Sequence, residues 1–393
     1  METRPRILSI RTYEMKRPIT APTYEDILKA RENIKEFSIR TPLIRLNVDN
    51  KEDSKVNIYL KLENLQAIGS FKVRAAGNAI EALGDLDDIR RKKKGICTAS
   101  AGNFGQGLAW ACKQRKIPCT VVVPRNAPKT KVESIKNKYG ANVIEVTFEE
   151  WWNCIVTHEC PQAKNSIFIH PGAETAVLAG NATVAFEILE ECPEADAIVV
   201  PYGSGALTTG VACGVREFSK RHLKAKTCRV ISVEPETAAP FHTSMLAGKA
   251  TPFRDYRSSF VDGCGGKSVL REIWDLARNV VDGSCKVSLR SVRRAIRILL
   301  ERNKVLSEGA GACPVAAALE GLCAPAKNIV CVVSGGGLDM DELSRILEDP
   351  HKEMTRGGVR SKAAAVTPPS LARFVVGCLA LGCVALISSR RNN

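Results

Sequence analysis

Lys72 lies in Gly69-Ser70-Phe71-Lys72-Val73-Arg74, where an apolar strand gives way to a helix. A loop at the carboxyl end of such a strand would present the amine to a crevice. Burial and neighbouring charge can depress a lysine's pKa, leaving a neutral amine that attacks an aldehyde or takes a proton. Taken alone, the residue reads more readily as a solvent-facing lysine on the first turn of a helix, because lysines are mostly exposed. Three further turns share its setting and change that reading.

The first is Thr98-Ala99-Ser100-Ala101-Gly102-Asn103-Phe104-Gly105-Gln106, again strand, turn and helix. Free amides at a helix start bind anions, so a carboxylate could settle there with help from the Ser100 hydroxyl. An N-capping turn without a ligand is the plainer alternative. The second, Pro201-Tyr202-Gly203-Ser204-Gly205-Ala206-Leu207, lets several amides converge on a phosphate in front of a helix dipole. Its spacing is not GxGxxG, so a dinucleotide fold is not indicated. The third, Val332-Val333-Ser334-Gly335-Gly336-Gly337, delivers a hydroxyl that can donate to or accept from a ring nitrogen without forcing its protonation. It lacks the GxSxG pattern of a nucleophile elbow.

Short apolar runs alternate with helical stretches along most of the chain: Val56 to Leu62 then Phe71 to Ala82, Ile96 to Ala99 then Phe104 to Lys113. Runs at Cys119 to Val123, Val143 to Val146, Ile198 to Val200, Val230 to Val233 and Ile329 to Val333 continue the series. This pattern predicts an α/β fold with parallel sheets flanked by helices. Beyond Leu347 the composition changes through Gly357-Gly358 and Pro368-Pro369 to an apolar run, Phe374 to Ile387, closed by Arg390 and Arg391. Residues 348–370 read as a linker. Residues 371–393 are a candidate membrane anchor on a cytoplasmic-facing protein, with a buried helix or an oligomer contact as the alternatives.

The formal net charge is +15, but its densest run, Arg90 to Lys94, directly follows Asp85, Asp87 and Asp88 and reads as a solvated helix end. No zinc-finger spacing or RNP-type motif accompanies it, so nucleic acid is not an expected partner. The 15 cysteines are scattered singly without a CxxC pair, which fits a reducing compartment and buried thiols. Cys154, His158 and Cys160 lack the second ligand pair of a structural zinc site. Basic residues near the start are interrupted by Glu2 and Glu14 with no apolar stretch behind them, so no secretory signal is expected.

Together and in this order, the four turns resemble those of the fold-type II pyridoxal phosphate enzymes, and within them the threonine/serine dehydratase and serine racemase group. The resemblance runs over roughly residues 23–347 and includes Thr41-Pro42-Leu43, Lys61-Leu62-Glu63-Asn64, His170-Pro171, Ala179-Gly180-Asn181-Ala182-Thr183 and Val233-Glu234-Pro235. It implies a two-lobed, tryptophan synthase β-like architecture. A large cofactor-binding lobe would span 23–94 and 172–347, and a small lobe 95–171, after an N-terminal extension of residues 1–22. It implies Lys72 as the Schiff-base lysine and Cα-proton base, with Phe71 beside the cofactor ring. Asn103 would face the cofactor's 3-hydroxyl oxygen, Ser334 its pyridine nitrogen, and Glu308 would stand beside it. Gly203, Ser204, Gly205, Ala206 and Leu207 would cradle the phosphate. Ser100, Ala101, Gly102 and Asn103 would bind the substrate carboxylate.

Several departures bear on the reaction. Serine racemases carry a second serine where Ala101 stands, and alanine has no proton to exchange, so one-sided chemistry favours elimination. Phe104 stands in place of a histidine common in this turn, and the phosphate loop reads Gly-Ser-Gly-Ala instead of four glycines. Racemase-like members bind a divalent cation through the Glu-Pro glutamate and an aspartate six residues later. Here Glu234 is present but Pro240 occupies the position six residues later, so no metal ligands are assigned. The expected activity is a threonine/serine dehydratase, or ammonia-lyase, acting on a small hydroxy amino acid, in a homodimer. A racemase or β-replacement synthase on the same fold, and an inactive membrane-tethered binding protein, are the alternatives.

Overall fold

The computed structural model describes residues 19–48, 56–92, 94–222 and 226–348. Most of the expected N-terminal extension, and the linker and apolar tail from residue 349 onward, lie outside the described residues. Among the described residues no helix is long and apolar enough to cross a membrane.

Among the described residues, ten strands form two sheets. They are β1 (Leu43–Arg45), β2 (Asn57–Lys61), β3 (Gly95–Ala99), β4 (Cys119–Pro124), β5 (Asn142–Val146), β6 (Ser166–Phe168), β7 (Ala197–Pro201), β8 (Arg229–Pro235), β9 (Gly283–Val287) and β10 (Asn328–Val332). The six-stranded sheet has the order β1-β2-β10-β7-β8-β9 and the four-stranded sheet β5-β4-β3-β6. Every pair is parallel except β1 with β2. In register, Cys331 of β10 lies opposite Leu60 of β2 and Val199 of β7. The central strands β3 and β7 are buried along their whole length, as expected where helices cover both faces of a parallel sheet.

The strand order decides what can meet. β10 lies between β2 and β7, so the turn after β10 falls between the Lys72 turn and the turn after β7. Two hydrogen bonds bind the first of these junctions: the Phe71 amide donates to Ser334 O at 3.1 Å and the Gly336 amide to Gly69 O at 2.9 Å. The Ser100 turn leaves β3 of the other sheet. Helix Asn103–Gln114 brings it to Lys72, because a Cβ on Gly107 would stand only 3.2 Å from the Lys72 carbonyl.

Helix Thr175–Glu191 backs the Lys72 helix at similarly close range. A Cβ on Gly180 would fall 2.4 Å from Arg74 O, inside van der Waals contact with backbone that cannot swing away. Gly180→Ala is therefore expected to push the two helices apart, lowering stability by about 1–3 kcal/mol as overpacking does. Urea unfolding is the check, and a cost near zero would mean that this contact yields freely.

The basic run reads as expected. Asp85 caps helix Leu86–Arg91, and Arg90 and Lys92 pair with Asp87 and Asp88 at its exposed surface. The 13 cysteines among the described residues are all free and buried.

Candidate active site

Lys72 opens helix Lys72–Glu81 with its residue half-buried and its Nζ sheltered between two rings, 4.7 Å from the centre of Phe71 and 5.6 Å from that of Phe104. Loss of hydration lowers its pKa from 10.5 to about 8, against the opposing pull of the nearby Glu308 carboxylate. Among the described residues the amine has no ion-pair partner within 4.0 Å. A sizeable fraction is thus neutral near pH 8, the form that can attack a carbonyl or accept a proton. In protein stripped of small molecules, acylation of Lys72 should rise with a midpoint near pH 8, against about 10.4 for solvated lysines. Mass spectrometry of the peptide would show it, and a midpoint near 10 would place the amine in water. The same shift has a stability sign. Between pH 8 and 10.5 the unfolded chain holds this proton more tightly, so the group's penalty on folding is relieved as pH rises through that window.

Glu308 is the second buried ionisable group. It precedes helix Gly309–Leu319, where its amide donates to Gly335 O at 3.0 Å. Its Oε1 accepts from Asn103 Nδ2 at 2.9 Å, whereas Oε2 has no partner among the described residues. Desolvation raises its pKa from 4.5 to about 7. The turn after β10 is pressed against it, since a Cβ on Gly335 would lie 2.5 Å from Oε1 and one on Gly337 3.3 Å from Oε2. Only hydrogen fits at Gly335. The Asn103–Glu308 bond therefore ties the turn after β3 to the large sheet's Ser334 turn.

Ser334 is buried at 2% exposure, and its hydroxyl meets no partner among the described residues. After β7, Gly205 takes a left-handed conformation, φ 87°, and helix Ala206–Arg221 follows. A side chain there would be strained and would also collide with Tyr202. The amides of Gly203, Ser204, Gly205, Ala206 and Leu207 find no acceptor among the described residues. A ring of free amides before a helix N-terminus suits a phosphate. The added Ser204 hydroxyl faces Gly172, whose Cβ would be 3.0 Å from it.

The Ser100 turn does two jobs. Its hydroxyl accepts the Gly105 amide at 3.2 Å and the Gly102 amide at 3.4 Å, which is the capping role the sequence also allowed. The amides of Ala101, Asn103 and Phe104 remain without acceptors among the described residues. A Cβ on Gly102 would meet nothing within 4 Å, so open space lies over this turn.

Two other sequence features find structural roles. Glu234 spends its carboxylate on the Phe241 and His242 amides, at 3.1 and 2.8 Å, at the start of helix Pro240–Ala247. His170 stacks on His158 at 4.4 Å and accepts the Gly172 and Ala173 amides on Nδ1, with burial and the His158 charge taking its pKa down to about 3. Among the described residues no cluster of three or more His, Cys, Asp or Glu side chains is arranged to hold a metal ion.

Sequence reasoning assigned no role to the charge network behind Lys72. Arg74, at 1% exposure, makes a paired contact to each of two carboxylates: Glu63 at 2.8 and 2.8 Å, and Glu187 at 2.6 and 2.9 Å. Lys61, fully buried, reaches Glu187 at 2.8 Å and Thr41 O at 2.7 Å. The signal was present in Lys61-Leu62-Glu63-Asn64 and Arg74 as charged residues inside apolar surroundings, but nothing in it revealed which charge meets which.

A lysine with a depressed pKa, a run of free amides before a helix, a hydroxyl unpartnered among the described residues and a buried acid stand around the carboxyl ends of parallel strands. The sequence model of the family described as "Pyridoxal-phosphate dependent enzyme" matches residues 34–335, and the chain belongs to that family. Its fold is the fold-type II form, with parallel sheets flanked by helices. It is 35% identical over 329 residues to a catabolic L-threonine dehydratase of Staphylococcus aureus strain N315, covering 82% of this chain and 91% of that one. Among solved structures it resembles maize serine racemase, with TM-score 0.72, 30% identity and coverage of 84% and 98%. It also resembles a threonine deaminase from the organism abbreviated T.th., with TM-score 0.70, 30% identity and coverage of 81% and 99%.

Proposed function

We propose that the chain is a pyridoxal phosphate-dependent threonine/serine dehydratase, converting a small hydroxy amino acid to a 2-oxo acid and ammonia. The observation that carries this reading is the sheltered Lys72 amine, held between Phe71 and Phe104, acted on by Glu308 and unpaired by any acid among the described residues. Similarity to proteins named threonine dehydratase and threonine deaminase supports the substrate class.

The donor set suits the cofactor. Gly203, Ser204, Gly205, Ala206 and Leu207 would hold the phosphate on their free amides, Ser334 the ring nitrogen, and Asn103 the ring oxygen through its second N–H, with Phe71 and Glu308 alongside. When bound, pyridoxal phosphate supplies an aldehyde that captures an amino group and a conjugated ring that takes up negative charge from Cα. The protein does the rest. Free amides at Ala101 and Asn103, with the open space over Gly102, orient the substrate carboxylate. Lys72 takes the Cα proton from its own side, within reach of a pKa suited to both accepting and returning it. The β-hydroxyl leaves as water, and hydrolysis of the released enamine gives the oxo acid and ammonia. Ala101 offers no proton to the opposite face, which favours elimination over inversion.

We place Lys72, the phosphate loop and Ser334 on a large lobe of residues 23–94 and 172–347, and Ser100 to Asn103 on a small lobe of 95–171. Closure of the small lobe on substrate would exclude water.

The test incubates the cofactor-loaded protein with L-serine, L-threonine and their D forms, following ammonia, oxo acid, cofactor absorbance and chirality. Ammonia and oxo acid in equal amounts, with little D-amino acid, are expected. Dominant inversion would make it a racemase, product formation only with an added thiol a β-replacement enzyme, and absence of cofactor absorbance would remove the assignment.

A further inference from the structure

Asp262 and Lys131 form an ion pair that the reaction just described does not use. Lys131 Nζ donates to Asp262 Oδ2 at 2.6 Å, with the lysine side chain 14% exposed and the aspartate 45%. Lys131 belongs to helix Lys129–Glu133, which follows β4 of the four-stranded sheet along the chain. Asp262 precedes Gly263, which touches the site twice. A Cβ on Gly263 would stand 3.2 Å from Glu308 Oε1, and the Gly263 carbonyl is 2.8 Å from where a Cβ on Gly203 would be. The pair thus bridges the two sheets' loops above Glu308 and beside the phosphate turn. Consistent with that position, the charges of Lys131 and Asp262 both act on the Glu308 carboxyl more strongly than that of Lys72 does.

We infer that this pair fixes the substrate's side-chain class: Asp262 occupies Lys131 and so restricts the site to amino acids without a second carboxylate. The charge count leads there. Lys72 is reserved for the reaction, and Lys131 is the cation whose charge acts most strongly on Glu308. A β-hydroxy dicarboxylic amino acid would bring a carboxylate toward Asp262 and Glu308 with its natural counter-ion already taken. Desolvating that carboxylate without a partner is costly, whereas a methyl or hydrogen at the same place costs nothing. Removing the Asp262 charge frees Lys131 to serve a second carboxylate.

This rests on the amino-acid reading of the site, so the experiment keeps the two apart. Malonate binding to the cofactor-loaded protein is measured calorimetrically, and ammonia release from 3-hydroxyaspartate is compared with that from serine, in wild type, Asp262→Asn, Lys131→Gln and the double variant. Asp262→Asn is expected to tighten malonate and raise the hydroxyaspartate-to-serine ratio of kcat/KM, each by about tenfold, the scale of one charge-assisted hydrogen bond. The double variant is expected to lose both gains. Asp262→Ser repeats the test should the asparagine variant not fold. Unchanged ratio and malonate affinity in Asp262→Asn overturn the inference, as do gains that persist without Lys131. Tighter malonate binding with no ammonia from any amino acid would uphold the charge argument and instead refute the dehydratase reading.

Discussion

Replacing Lys72 by alanine is expected to cut ammonia release by at least about 10³-fold, while leaving the fold and the phosphate turn intact. The size follows from the two tasks that fall on one amine. General-base contributions alone run to roughly 10²–10⁴-fold, and loss of covalent capture adds to that. The stability effect has the opposite sign. At neutral pH the sheltered ammonium lies below its depressed pKa and costs the folded state energy, so its removal is expected to leave thermal stability level or slightly raised in cofactor-free protein. Near-UV circular dichroism and thermal unfolding check the fold, and coupled detection of ammonia checks the rate. A variant that keeps a tenth or more of the activity would show that another base takes the Cα proton. A small added amine restoring part of the rate would speak for a missing base rather than a collapsed site.

Arg74→Met carries the largest expected stability effect. Arg74 neutralises Glu63 and Glu187 in surroundings closed to water, and its own pKa is driven upward by both carboxylates despite burial. Methionine fills most of the volume but leaves Glu187 with Lys61 as its cation, and Glu63 with hydrogen bonds from Thr41 and Gln66 and no cation among the described residues. Breaking a buried pair from one side costs about 3–5 kcal/mol. The consequence reaches the chemistry because Arg74 sits two residues after Lys72 on the same helix. Retained cofactor absorbance with raised KM would be a mild form of the effect, and loss of cooperative urea unfolding a severe one. The network also sets a pH limit. Arg74 and Lys61 hold the Glu187 pKa below its ordinary 4.5, so the stabilisation is complete above that value and is lost as pH falls below it through the depressed pKa. Arg74→Met is therefore expected to unfold with less dependence on pH below 4.5 than wild type. Stability within about 1 kcal/mol of wild type would mean that water reaches these acids.

Central strands were legible because burial on both faces writes itself as a continuous apolar run. Ile198 to Val200 and Val230 to Val233 each lie inside the observed β7 and β8, which extend a residue or two further. The unread strands β1, β6 and β9 are all sheet edges. Two of them have three residues, too few for alternation to register, and Gly283-Ser284-Cys285-Lys286-Val287 mixes polar and apolar types because one side of an edge is less covered. The chemistry-bearing turns were legible for a related reason: glycine and serine after a strand mark close backbone approach, as Gly205 and Gly335 show. Pairings between distant charges were not. Glu63 and Glu187 lie 11 and 113 residues from Arg74, and Lys131 lies 131 from Asp262, so only the folded arrangement reveals them.

The central claim is that Lys72 is the residue to which the cofactor is attached. Loading the purified chain with pyridoxal phosphate, reducing it with borohydride and mapping the peptides by mass spectrometry tests this without relying on any substrate. The account predicts one reduced cofactor per chain, on the peptide containing Lys72, and none after Lys72→Ala. Stoichiometric labelling of another lysine, or a Lys72→Ala protein labelled as fully as wild type, would contradict it.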